Sequence, residues 1–257
     1  MGGLVLSELT GEIATLTLNR PERHNSLIPE LLRDLLDALR DAAHARALVL
    51  QANGRSFSTG GDVRGFYEHR AELESYSNEV VGLLNETILA MIASPMPIIA
   101  AVHGIVTGGS LGLALACDIV LVAPETTFTP FYTTVGYSPD GGWTAMLPAV
   151  IGAKRAAEAL LLDRSITAHQ AIEWGLANRI VSADKIRDEA RAVANAIVQQ
   201  KAGSVMRAKR LLWSNNIAGK LEEERQQFVR QIVSAEAQEG MAAFLHIKPG
   251  DYKSLQQ

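Results

Sequence analysis

A chain of 257 residues, 47% of them hydrophobic and 20% charged, carries 28 acidic against 24 basic side chains, for a formal net charge of −4. That balance belongs to a globular protein with a substantial core and excludes disordered, collagenous and coiled-coil architectures. The acidic excess also removes the basic footprint by which proteins hold polyanions, so nucleic acid is not an expected partner, while a single phosphorylated ligand is compatible with it. Cys117 is the only cysteine, which leaves no intrachain disulfide and no cysteine-built metal site and points to a reducing compartment. The N-terminal dozen residues lack the basic leader and long apolar stretch of a secretion signal. The longest apolar runs, 97–102 and 119–123, fall far short of the ~20 residues of a membrane-spanning helix. A cytoplasmic protein with no membrane partner is expected.

In chain order, residues 4–9 and 13–18 are short leucine-rich or β-branched segments joined by Thr10-Gly11-Glu12, the pattern of a hairpin. A polar loop, NRPERHNS at 19–26, follows. Leucines at 31, 32, 35, 36 and 39 predict an amphipathic helix over 29–43, and 47–51 reads as a short buried strand. The stretch GRSFSTGGD at 54–62 has the small residues of a loop that bends sharply or lets a neighbour approach its backbone. A helix is expected over 73–93, stopped by Ser94-Pro95-Met96-Pro97. Then come a buried strand over 98–102, a small-residue loop over 103–109, a short helix over 110–116 and a strand over 119–122. Beyond 182 the pattern is helical, over 185–200, 204–215 and 221–237. The organisation is therefore an α/β core, 1–200, followed by a helical region, 201–257, that packs on the core or on a neighbouring subunit.

Two glycine-rich loops each follow an apolar strand: Ser58-Thr59-Gly60-Gly61-Asp62 and Thr107-Gly108-Gly109-Ser110-Leu111-Gly112, the second opening a helix. Free N–H groups at a helix start attract negative charge, and two such loops converging supply an oxyanion hole with one N–H from each. Taken alone, tight turns and close packing account for either loop. Residues 108–112 also fit the G-x-S-x-G pattern of a hydrolase elbow, with Asp140 and His169 or His246 following in the order Ser, Asp, His. An elbow needs its strand to run straight into the motif, however, and the strand expected here ends near His103. The glycine spacing is not that of a dinucleotide fingerprint either. Pro139-Asp140-Gly141-Gly142 is a turn by composition, and it also sets a carboxylate before the apolar run 143–150, as a general acid or base in a partly dry pocket requires. The six histidines, at 24, 44, 69, 103, 169 and 246, show no ligand spacing, and no metal is expected.

Taken together, NRPERHNSL at 19–27, FSTGGDV at 57–63, AVHGIVTGGSLGL at 101–113, ACDI at 116–119, AHQAIEWGL at 168–176 and EGMAAFL at 239–245 resemble the crotonase superfamily, also called the enoyl-CoA hydratase/isomerase family. The resemblance runs in order from about residue 4 to 252. It implies an α/β spiral of ββα units with a helical C-terminal trimerisation region and assembly as a homotrimer or a dimer of trimers. It also implies a coenzyme A thioester as substrate, so that CoA enters with the substrate and no resident cofactor is needed. By position, the N–H groups of Gly61 and Gly109 match the family's oxyanion hole. His24 and Ser26, with Ser58, Thr59 and Gly60, match the region that touches the pantetheine and adenine, and Arg20, Arg23 or Lys248 are candidates for the CoA phosphates. Gly108, Gly112 and Tyr132 fall in the substrate region, with Phe131, Phe66 and Tyr67 as further candidates for the acyl wall. Asp62 lies in the first substrate loop, where its expected work, like that of Asp118 and His103, is capping or loop hydrogen bonding.

Family hydratases use two glutamates, and the matching positions here hold Gly112 and Tyr132. Adding water needs one group to activate it and another to handle the proton at C2, so the loss of both argues against an efficient hydratase. Asp140 matches the single acid of the family's enoyl-CoA isomerases. One carboxylate suffices for a double-bond shift, because it removes a proton at one carbon and returns it at another. The resemblance thus implies a 3-enoyl-CoA to 2-enoyl-CoA isomerase with Asp140, Gly61 and Gly109 as its catalytic groups. The same position carries the nucleophilic aspartate of the family's dehalogenases, whose helical histidine base is replaced here by Asn85. Hydration, dehalogenation and ring isomerisation of an acyl-CoA stand as alternatives, and noncatalytic CoA-ester binding stands as an alternative of another class.

Overall fold

The computed structural model describes residues 3–213 and 216–247. Strands β1 (Val5–Thr10) and β2 (Ile13–Leu18) form the expected antiparallel hairpin, turning at Gly11 with φ +61°. Helix α1 (Pro29–Asp41) opens with proline in its first turn and buries all five leucines of the predicted stripe. Strand β3 (Ala47–Ala52) then pairs parallel with β2. The short α2 (Val63–Glu68) and the long α3 (Leu73–Ala93) lead to β4 (Ile98–Val102), β5 (Ile105–Thr107) and α4 (Leu111–Leu115). The same strand–strand–helix order recurs as β6 (Ile119–Val122), β7 (Thr127–Thr129) and α5 (Tyr132–Val135). After α6 (Leu147–Ile151), α7 (Ala153–Leu161), β8 (Ile166–Thr167), α8 (Ala168–Glu173) and β9 (Arg179–Ile180), the chain is helical: α9 (Ile186–Val198), α10 (Ala202–Leu212), α11 (Ile217–Ile232) and α12 (Ala235–Phe244).

The first strand of each repeat joins one sheet and the second joins another, which is the turn-by-turn advance of a ββα spiral. The larger sheet has the order β1-β2-β3-β4-β6-β9, parallel beyond its hairpin, and the smaller has the order β5-β7-β8. A parallel sheet covered on both faces needs strands apolar on both sides, and every residue of β4 is buried. One face packs on α9 through Ile186, Ala190 and Ala194 against Val49, Ile99, Ala101 and Leu121. The other carries the main core, with α1, α3 and α4.

Two departures from the sequence reading have local causes. The stretch 103–109, expected as loop, contains β5, because three residues suffice to pair with β7 in the second sheet. The single helix expected over 221–237 is two, since the Ser234 side chain accepts from the Ala237 N–H and starts α12 afresh. The C-terminal helices are also tied to the core. Lys209 of α10, buried, donates to the carbonyls of Met91 and Met96 and pairs with Asp118 at 2.9 Å, while α11 lies along α3.

Candidate active site

The two glycine loops meet backbone to backbone. Ser58 N–H donates to the Ile105 carbonyl and Thr107 N–H to that of Ser58, so the first loop forms a parallel bridge to β5. Gly60 has φ +71°, and a Cβ there would lie 2.6 Å from the Thr107 carbonyl oxygen, so only glycine fits. A second bridge uses the Gly60 carbonyl, which accepts from Leu27, and the Asp62 N–H, which donates to Leu27; the Gly61 N–H takes no part in it. On the facing side β5 runs directly into a 3-10 turn, Gly108–Ser110. Gly109 is the second residue of that turn, so its N–H has no acceptor within it.

The direct entry of β5 corrects the expectation that a loop separates strand from G-x-S-x-G motif. The hydrolase reading fails on other ground: Ser110 is fully buried, and its hydroxyl is occupied by the carbonyls of Ser58, at 2.9 Å, and Thr107, at 2.7 Å.

Asp140 arrives from the other side. Gly141, at φ +57°, packs so tightly on the second loop that a Cβ there would lie 2.3 Å from the Gly109 carbonyl oxygen. This approach lays the Asp140 carboxylate beside Gly109: both of its oxygens are within 3.0 Å of where a Gly109 Cβ would be. Three side chains fix the loop. Tyr132 donates its hydroxyl to Asp140 Oδ1 at 2.6 Å, and Trp143 Nε1 donates to the Gly108 carbonyl at 2.8 Å. Glu224 of α11, buried, accepts from the N–H groups of Gly142, Thr144 and Ala145 and from the Thr144 hydroxyl.

Asp140 is 6% exposed. Burial pushes its pKa from the ordinary 3.8 up to about 7; the Tyr132 hydrogen bond pulls the other way and the Glu224 charge adds to the rise. Burial, the Asp140 charge and the hydrogen bond between them hold the Tyr132 phenol well above its usual value, so it stays a donor.

A continuous cleft runs past these groups. Its inner end is lined by Leu27, Phe66, Leu84, Tyr132, Tyr137 and Phe228 with Gly61, Gly109 and Asp140, and Asp140 is the one carboxylate among the described residues there. Phe66, Tyr137 and Phe228 pack as a triad, with centroids 5.5–6.1 Å apart. The outer end shares Thr59, Gly61 and Phe131 with the inner and adds Arg23, His24, Ser26 and Arg64.

Not every residue singled out in the sequence reaches the cleft. Ser58 is fully buried and gives its hydroxyl to the Asn25 carbonyl at 2.7 Å. Gly60 serves the loop contact. Asp62, at the outer end, caps α2 through the Gly65 N–H and binds Arg20, Arg23 and Ser26, and these partners hold it below the usual carboxylate range against the opposing effect of burial, the largest single influence. Arg20 is likewise engaged, with Ser26 and Asp62. Lys248 lies outside the described residues. Asn85 faces α11, donating to the Leu221 carbonyl at 2.9 Å, and Tyr67 lines neither end of the cleft.

Gly112 is a packing residue: a Cβ there would lie 2.4 Å from Ile88 Cδ1 and 2.5 Å from the Gly141 carbonyl oxygen. Gly112→Ala is expected to destabilise the fold by about 1–3 kcal/mol and to weaken turnover by displacing Gly141, measured by denaturant midpoint and initial rate. An unchanged midpoint would contradict the contact.

A model of the enoyl-CoA hydratase/isomerase family matches residues 8–255. The chain belongs to that family. It is 32% identical over 248 residues to the 1,2-epoxyphenylacetyl-CoA isomerase of Escherichia coli K12, covering 94% of this chain and 95% of the relative. With a 4-chlorobenzoyl coenzyme A dehalogenase of Arthrobacter it shares 34% identity over 180 residues, 68% of this chain and 65% of the relative. The crystal structure of an enoyl-CoA hydratase from Bacillus halodurans superposes with a TM-score of 0.88 at 25% identity, covering 94% of this chain and all of the other. The protein is thus a crotonase-fold enzyme of acyl-CoA chemistry. No helix among the described residues is long and apolar enough to cross a membrane.

Proposed function

We propose that this crotonase-family enzyme shifts a double bond within an acyl-CoA, converting a 3-enoyl-CoA to a 2-enoyl-CoA. The observation that carries the proposal is the single inner-cleft carboxylate, Asp140, lying beside Gly109. The thioester oxygen sits between the Gly61 and Gly109 N–H groups, where donors fixed in advance stabilise negative charge as it develops. Asp140 takes a proton from C2. The C–H electron pair delocalises into the thioester as a dienolate, and the same carboxyl returns the proton at C4, leaving the double bond conjugated. An acid whose pKa lies near neutrality suits both halves of this shuttle. The name of the Escherichia coli relative, and that of a 26% identical trans-2-decenoyl-[acyl-carrier-protein] isomerase from Streptococcus mutans, agree with isomerase chemistry.

Several relatives are named hydratases. Hydration needs a second group to activate water, and the matching positions here are the packed Gly112 and the phenol Tyr132. At the outer end Arg23, His24, Ser26 and Thr59 take the CoA portion. The exposed apolar Met206, Leu211 and Leu212 of α10 support assembly through 201–257 into a homotrimer or dimer of trimers.

The test is the ultraviolet absorbance of the conjugated enoyl thioester after the enzyme is added to a 3-enoyl-CoA and, separately, to a 2-enoyl-CoA. A rise with the first and little change with the second is expected. A fall with the second would make the enzyme a hydratase.

A further inference from the structure

We propose that Tyr132 is a positioning residue for the proton shuttle, its hydroxyl holding Asp140 Oδ1 so that Oδ2 is the oxygen left to meet the substrate. The inference rests on Asp140 being the base.

The geometry singles Tyr132 out from the rest of the cleft wall. It is 4% exposed, its hydroxyl reaches both the Oδ1 of Asp140, at 2.6 Å, and the backbone carbonyl of the same residue, at 3.1 Å. Its ring packs edge-on against Trp143, centroids 6.3 Å apart, and Trp143 in turn is anchored to the Gly108 carbonyl. Phenol, base and the loop that carries the Gly109 N–H are therefore one connected unit. A carboxylate able to rotate about its last bond presents either oxygen to C2; one whose Oδ1 is taken by a fixed donor presents one oxygen in one orientation, and proton transfer depends steeply on such placement. Tyr132 does not itself exchange protons, since its hydroxyl stays protonated beside a buried acid.

Among the described residues, the charged and titratable groups that act on Asp140 are Tyr132 from α5 and Glu224 from α11, and they act in opposite senses. The phenol donates to the ionised form and favours it, whereas the Glu224 charge disfavours it. Removing the hydroxyl therefore makes Asp140 harder to ionise.

The experiment compares the parent enzyme, Tyr132→Phe, a 3-fluorotyrosine placed at 132, and Asp140→Asn, with a 3-enoyl-CoA across pH. For Tyr132→Phe the expected result is a kcat lower by roughly ten- to a hundredfold, a KM within about twofold of the parent, and an acidic limb of kcat/KM moved to higher pH. Fluorotyrosine keeps the ring in place and is a stronger donor, so its limb moves to lower pH. A purely packing role for Tyr132 leaves both limbs where the parent has them, and that result overturns the proposal while Asp140→Asn remains inactive. Turnover by Asp140→Asn at the parent rate would instead remove the base reading itself.

Discussion

Asp140→Asn is expected to lower isomerase turnover by at least ~10³-fold while leaving a saturated acyl-CoA bound with affinity close to the parent's. The substitution keeps the volume of the side chain and an oxygen able to accept from the Tyr132 hydroxyl, so the loop beside Gly109 has no steric reason to move. What disappears is the capacity to take and return a proton. The Gly61 and Gly109 N–H groups, the aromatic inner wall and the outer end of the cleft are untouched, and in the proposed mechanism these supply the binding. Rates followed by enoyl-thioester absorbance, with affinity from calorimetry, separate the two effects. Turnover within tenfold of the parent would sink the mechanism.

The same variant carries a stability signature of known sign. Burial raises Asp140 from 3.8 to about 7 in the folded protein, so between those values the native state binds the proton that the unfolded chain releases. The contribution is fully present below about pH 4 and is lost as pH rises through about 7. The proposed shuttle needs the ionised form, so kcat/KM is expected to fall below about pH 7 as stability improves. Asparagine is neutral throughout. Asp140→Asn is therefore expected to be more stable than the parent at pH 8, by a margin of the order of a few kcal/mol and with a higher melting temperature, the gap closing toward pH 4. Equal melting temperatures at both pH values would mean that the carboxylate is better solvated than its burial indicates.

Much of the scaffold is legible in the sequence because it rests on local rules. The leucine stripe of α1, the proline stop after α3 and the all-apolar β4 each follow from period or punctuation. The glycine loops are legible as loops, and the order of the motifs gives the family. What distance in sequence hides is which side chains share the cleft. Ser58 and Gly112 sit inside motif-like stretches yet turn to packing, because the loops approach one another by their backbones. Phe228 closes the inner cleft from the far end of the chain. Glu224 lies among three consecutive glutamates, and only its register betrays it. It falls on the buried stripe with Leu221, Phe228 and Ile232, where an acid has no business without partners. No local pattern says that those partners are the N–H groups following Asp140.

That register gives the other large effect. Glu224→Ala is expected to destabilise the protein by about 3–5 kcal/mol, because the buried N–H groups of Gly142 and Ala145, the part-buried Thr144 N–H and the Thr144 hydroxyl lose a charged acceptor together. Activity should fall by about 10²-fold or more, since a shift of about 1 Å in the loop carries Asp140 away from C2. Glu224→Gln separates anchoring from charge. Its oxygen can still serve the Thr144 and Ala145 donors, while its amide meets the Gly142 N–H donor to donor, so the expected loss of stability is smaller. Removing the negative charge also makes Asp140 easier to ionise, which moves the acidic limb of kcat/KM to lower pH, opposite to the shift expected of Tyr132→Phe. Denaturant midpoints for the two Glu224 variants and pH profiles for the glutamine one test this. A limb that stays fixed in Glu224→Gln would show that α11 anchors the loop without tuning the acid, and a midpoint unchanged in Glu224→Ala would show that it does not anchor the loop.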